Sequence, residues 1–264
     1  MDDWRSYDGV ATTYEQVHAP RFVEPARDLV ALARVTSGER LLDVGTGTGV
    51  VAEVADALGA DVIGIDPSIG MLTVAREHRP AIPVVAAEAI DLPFRDATFD
   101  VVTAGFVLAH FARPETALFD LRRVLRRGGR FAASAWADGN DAFTDTWREL
   151  IGSIVPPEML QPSLAGAIPN HERFRRADVV AETFSEAGLR KVRVERAHYE
   201  WVYTQEEFLS GLETWATARF ARGMIGEAGW ESFRARARQT FADRFPDPLH
   251  DRRDVLLVAG ERED

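Results

Sequence analysis

The chain has 264 residues, 46% hydrophobic and 28% charged, which supplies one large core in a water-facing protein. A net charge of −11 argues against a polyanion partner, because holding phosphates takes clustered Lys and Arg, so nucleic acid is excluded as a partner. With no cysteine, disulfides, thiolate metal sites and cysteine nucleophiles are excluded as well.

The opening MDDWRSYDGV is acidic and polar and does not read as an export leader. No run approaches the roughly 18 apolar residues of a membrane span, so a cytoplasmic location is expected. From Leu41 to Trp136 strand and helix patterns alternate, the mark of βαβ units and a mostly parallel sheet. RLLDV is a short apolar strand running into glycines. Val50, Val51, Val54, Ala55 and Leu58 then recur at helical spacing until Gly59. DVIGID is the second strand, and Ser68 is placed to cap a helix that turns Met71, Leu72 and Ala75 inward. Pro80 and Pro83 punctuate before the third strand, VVAAE, and FDVVTAGFV is the fourth. Pro114 and Glu115 open a helix bearing Leu118, Leu121 and Leu125, closed by four arginines and Gly128-Gly129; these cations complement the helix dipole and need no nucleic acid to explain them. GRFAASAW is the fifth strand.

After Trp136 the alternation lapses. A first insertion carries Phe143, Trp147, Leu150, Ile151 and Ile154 at helical intervals up to Pro156-Pro157, and PSLAGAIPN reads as loop. ADVVAETFSEAGL and the strand KVRVERAHYEWV follow. A second insertion opens with the capping box TQEE on a helix bearing Phe208, Leu212, Trp215 and Phe220; a further helix carries Trp230, Phe233, Ala237, Phe241 and Phe245 before the strand DVLLVAG.

The stretch LLDVGTGTGV poses the chemical question. A glycine turn between strand and helix lets a ligand approach the backbone, and Asp66, about 20 residues on, suits ribose hydroxyls. A dinucleotide and a sulfonium nucleoside both fit that much. Asp43 discriminates, since a carboxylate just before Gly45 repels a pyrophosphate and attracts an ammonium group. With Glu88 at the end of the third strand, three carboxylates fall at the carboxyl edge of adjacent strands, a seat for a cation.

At these residues the chain resembles the class I S-adenosylmethionine-dependent methyltransferases, in the small-molecule branch that includes the ubiquinone/menaquinone C-methyltransferases. LLDVGTGTG, GIDPS, AAEAIDLPFRDATFDVV and LRRVLRRGGRF carry the likeness, which covers about Tyr7 to Trp136. It implies a Rossmann-like α/β fold, a mostly parallel seven-stranded sheet with helices on both faces, and S-adenosylmethionine as cofactor. It also implies that Tyr7, Tyr14, Asp43, Gly45, Thr46, Gly47, Asp66, Pro67, Met71, Glu88, Ala89 and Ala104 surround that cofactor. Asp66 would take the ribose hydroxyls, Glu88 with Ala89 the adenine, and Tyr7 and Tyr14 the methionine end. Glu88 stands where the family usually has Asp. One domain is expected, with residues 1–36 as an N-terminal lid, 37–139 as the cofactor core, and 140–177 and 204–250 as helical insertions forming a substrate cap.

Methyl transfer from a sulfonium needs alignment above all, and a base only when the acceptor must lose a proton. His110, just past the fourth strand, is the candidate for that role, ahead of His18, His171, His198 and Tyr203, and it tilts the expectation toward oxygen as the methylated atom. No histidine pair has metal-ligand spacing, so no metal is expected. The aromatic faces of the insertions read either as a roof over a small, partly apolar acceptor or as plain core. Two other function classes stay open: a nicotinamide-dependent oxidoreductase, and an S-adenosylmethionine-binding lyase or pericyclic catalyst on the same fold. Acceptor identity and oligomeric state are not legible.

Overall fold

Seven strands form one sheet in the order β3-β2-β1-β4-β5-β7-β6 in a computed structural model that describes residues 7–139 and 141–263. The first six residues of the expected lid lie outside the described residues. The parallel half consists of β1 (Arg40–Val44), β2 (Asp61–Asp66), β3 (Val84–Ala86), β4 (Phe99–Gly105) and β5 (Leu125–Trp136). The strands β6 (Arg190–Tyr203) and β7 (Leu249–Glu261) complete it, β7 lying antiparallel between β5 and β6. This is the expected Rossmann-like sheet. β1 is buried for four of its five residues, Leu41, Leu42, Asp43 and Val44, because helices cover both faces, which is why its sequence does not alternate.

On one face α2 (Ala19–Leu32) and α3 (Val50–Asp56) bury Leu29, Val30, Ala52 and Ala55 against Leu41 and Val101. On the other, α5 (Pro114–Val124) and α8 (Ala177–Glu186) pack Leu118, Leu121, Val180 and Phe184 on Leu42, Val102 and Phe131. The N-terminal helix α1 (Ala11–Val17) crosses α4 (Ile69–His78) at the carboxyl edge of β1 and β2, where the sequence places the ligand. Ser68 caps α4 as expected, its hydroxyl accepting from Met71 N at 3.1 Å.

The cap consists of α6 (Ala142–Gly152), α7 (Pro157–Ala167), α9 (Gln205–Glu213) and α10 (Ala216–Arg244), with Gly226 breaking α10 internally. It has a core of its own, in which Trp147, Phe208, Trp230, Phe233 and Phe241 are buried together with Phe143 at its edge. These buried rings form the cap's own core, which supports the plain-core reading of the insertions' aromatic faces, while Trp215 is exposed. The Thr204–Glu207 capping box is present in both directions.

Several boundaries differ from the sequence reading. PSLAGA is helical, because α7 lies against α10 and packing overrides the interior Pro162. Leu125 leaves the helix to pair with Phe99, so Arg126 and Arg127 sit in β5 and only Arg122 and Arg123 meet the end of α5. β3 stops at Ala86, and Glu88 lies two residues past it. Phe220 belongs to α10, since α9 ends at Glu213. No described helix is long and apolar enough to cross a membrane.

Candidate active site

The turn after β1 is built to leave space. Gly45, Gly47 and Gly49 have φ of 64°, 56° and 99°, conformations that disfavour a side chain. At Gly45 a Cβ would also fall 2.5 Å from Val107, so the segment after β4 packs directly on the turn. In front of Gly47 nothing lies within 4 Å of where a Cβ would be. The cleft there is lined by Tyr14, Phe22, Asp43, Gly45, Thr46, Gly47, Thr48, Gly105, Phe106 and Ser134. The Thr48 hydroxyl is buried on this wall without a partner, a group that a polar ligand would satisfy.

Asp43 and Asp66 divide the work. Asp66 ends β2, and its two oxygens accept from Gly47 N at 2.9 Å and Ser68 N at 2.8 Å, tying the glycine turn to the start of α4. Burial raises its pKa, the two backbone donors oppose that, and Asp8 adds to the rise. Asp43 is fully buried: one oxygen accepts from Thr46 Oγ1 at 2.7 Å, the other from Thr103 Oγ1 at 2.8 Å. Burial pushes its pKa up to about 6 against those two hydrogen bonds. Its carboxylate orders the turn from beneath and sets a negative charge on the floor of the cleft.

The N-terminal segment closes over this floor. Tyr7 and Tyr14 pack with Met71, Ala11 and Val74, their rings 6.0 Å apart edge to face. Asp8 accepts from Ser68 Oγ at 2.6 Å and Gly70 N at 2.8 Å, so the segment caps a helix of the core. Burial raises the pKa of both tyrosines, and the charge of Asp66 adds to the rise, which keeps them neutral.

The remaining expected residues scatter. Glu88 and Pro67 are exposed, and Ala89 packs at the edge of the sheet core. Ala104 is buried inside that core, and Gly105 and Phe106, the next two residues, line the cleft. Phe106 has φ of 56°, a strained backbone for an aromatic residue, and this turns its ring onto Phe22 at 5.0 Å and Trp136 at 4.6 Å. Nothing in the pattern of β4 announces that reversal.

His110 sits in a 3-10 turn, Leu108–His110, with its ring 5.9 Å from that of Tyr7. Burial lowers its pKa, the backbone of Ala167 opposes this, and the charges of His171 and Arg219 lower it further. Arg219 reaches over from α10, its guanidinium 5.1 Å from the centre of the Tyr7 ring. His18 lies behind the cleft wall, in the hinge between α1 and α2, its ring 5.0 Å from that of Tyr14 and bonded to Thr214 and Arg21. His198 pairs with Asp254 on the surface, and Tyr203 is buried beside Phe208. Sequence reasoning missed Arg219 and Asn170, which come from the insertions and reach the site only through the tertiary fold.

A family model described as a methyltransferase domain matches residues 42–133. A demethylmenaquinone methyltransferase of Streptomyces griseus subsp. griseus is 32% identical over 160 residues, covering 57% of this chain and 68% of that one. Its counterpart from Renibacterium salmoninarum is 40% identical over 100 residues, 38% of this chain and 42% of that one. The chain spans about half the length of the curated relatives it matches. A solved structure of Haemonchus contortus phosphoethanolamine N-methyltransferase 2 in complex with S-adenosyl-L-methionine aligns with a TM-score of 0.59 at 17% identity, over 97% of this chain and 57% of that one, a likeness of fold.

Proposed function

Because the chain belongs to the class I S-adenosylmethionine-dependent methyltransferases and takes S-adenosylmethionine as its cofactor, we propose that it methylates an oxygen of a small, partly apolar acceptor, with His110 as general base. The cofactor supplies a methyl group already activated by the sulfonium, so the chain's own task is to align and to move one proton. The glycine turn and Asp66 hold the nucleoside, Asp43 sets the charge beneath its cationic end, and Tyr7 and Tyr14 exclude water from above. What supports the base role is the place of His110: its 3-10 turn follows Val107, which packs on the glycine turn, its ring lies 5.9 Å from that of Tyr7, and burial lowers its pKa, so the imidazole is neutral and one of its nitrogens is left as a proton acceptor. The acceptor's O–H proton would pass to that nitrogen, and bound S-adenosylmethionine would supply the methyl group to the oxygen.

The relatives are named for a quinone substrate, which makes reduced quinones and phenols the first acceptors to try. Both insertions lie outside residues 42–133, so the acceptor need not be inherited with the cofactor. The test is equilibrium binding of S-adenosylmethionine, followed by a screen of phenols, quinols and amines with labelled methyl donor. Asp66→Asn should weaken cofactor binding at least tenfold, and S-adenosylhomocysteine should accumulate only with acceptor present. Cofactor consumption that yields no methylated product would overturn the transferase reading, and unchanged binding by Asp66→Asn would overturn the assignment of the cleft.

A further inference from the structure

Two hydrogen bonds from the first insertion bracket His110. The backbone N–H of Asn170 donates to the Ala109 carbonyl at 3.0 Å, and its side-chain Nδ2 donates to the Phe111 carbonyl at 2.7 Å. The residues on either side of His110 are thus tied to one asparagine.

We propose that Asn170 is a positioning residue, which clamps the His110 turn and so fixes the orientation and tautomer of the imidazole for proton transfer. The inference rests on the reading of His110 as the base. A histidine can act only if the correct nitrogen is bare and pointed at the proton, and a third group that orients the base is how such sites are usually completed. Here that group is an amide acting on the backbone, not a carboxylate acting on the ring. A carboxylate would raise the basicity of His110 and attract its proton permanently; the amide holds the ring without adding charge. The groups that face the imidazole otherwise are Tyr7 from the N-terminal segment, His171 from the Asn170 loop and Arg219 from α10. None of them tethers the 3-10 turn on both sides. The clamp also lies outside the matched methyltransferase stretch, which ends at residue 133, so the base is aligned by an insertion and not by the cofactor core.

Asn170→Ala and Asn170→Ser, made in the full chain, test this with a readout that needs no acceptor. In the protein saturated with S-adenosylhomocysteine, nitrogen-15 NMR of His110, assigned with His110→Gln, should show one tautomer for the parent chain. Both variants should show two tautomers in exchange, with a titration midpoint moved up toward the ordinary histidine value. With 1,4-dihydroxynaphthalene as probe acceptor, kcat should fall about tenfold while KM and cofactor affinity stay within twofold. Unchanged tautomer and titration in both Asn170 variants would overturn the clamp alone. Full turnover by His110→Gln would instead remove the base role, and the positioning role with it.

Discussion

Asp43 carries its charge where the interior disfavours one. Its pKa stands at about 6 in the fold against 3.8 for the free side chain, because burial outweighs the Thr46 and Thr103 hydroxyls. The folded state therefore holds a proton that the unfolded chain has released, so this group's contribution to stability declines as pH rises from 3.8 to about 6 and is level above. The loss amounts to about 3 kcal/mol at neutral pH. Asp43→Asn, without cofactor, should be more stable than the parent at pH 7 by up to that amount, the gap closing toward pH 4 in denaturant melts. It should bind S-adenosylmethionine at least tenfold more weakly by calorimetry. That opposition between stability and binding is expected of a charge kept for its ligand. Asp43 and Asp66 were legible because strand ends and glycine spacing are local. Phe106, Asn170 and Asp8 were not, since a reversed φ or a cap supplied from 60 residues away leaves no mark in the neighbouring sequence.

Elements whose two ends are signalled locally came out close to expectation. β1 and β2 match to the residue, as do the Ser68 and Thr204 caps. The end of α5 did not, because Leu125 suits a helix face and a sheet alike, and pairing with Phe99 decides for the sheet. The α1–α2 element depends on a contact no pattern displays: His18 accepts from Arg21 on Nδ1 at 3.2 Å and donates from Nε2 to Thr214 at 2.9 Å, joining the lid to the cap. Burial first, then Arg21, lowers its pKa to about 4, with the Gly211 carbonyl opposing. A neutral buried histidine contributes stability that is present above 6.5 and lost as pH falls toward 4, here about 3 kcal/mol in all. His18→Gln keeps a donor for Thr214 and removes the titration, so its stability relative to the parent should rise between pH 7 and pH 4 in urea melts. Asp43 works in the opposite direction below pH 6, so the parent's own profile should be flatter than either group alone implies.

At the scale of the molecule, the alternation of strands and helices up to Trp136 was enough to place the sheet and its ligand edge. The cap was harder, since a helix face of Trp and Phe looks the same whether it lines a pocket or fills a core. Trp230 is fully buried in the cap's own cluster, far along the chain from the glycine turn. Trp230→Ala should cost about 3–5 kcal/mol of cap stability, read as a lower Tm, while cofactor affinity changes less than threefold because the floor of the cleft belongs to the sheet. Parallel loss of both would show that cap and floor unfold as one. The ladder that carries α9 and α10 ends with Tyr203 opposite Leu249, so the chain departs from the sheet and rejoins it across a single antiparallel rung. Neighbours on such a rung are about 5 Å apart, and any folded stretch whose ends meet at that distance can be grafted there without disturbing a strand. The donor chassis can thus be kept while the helical cassette is exchanged for another.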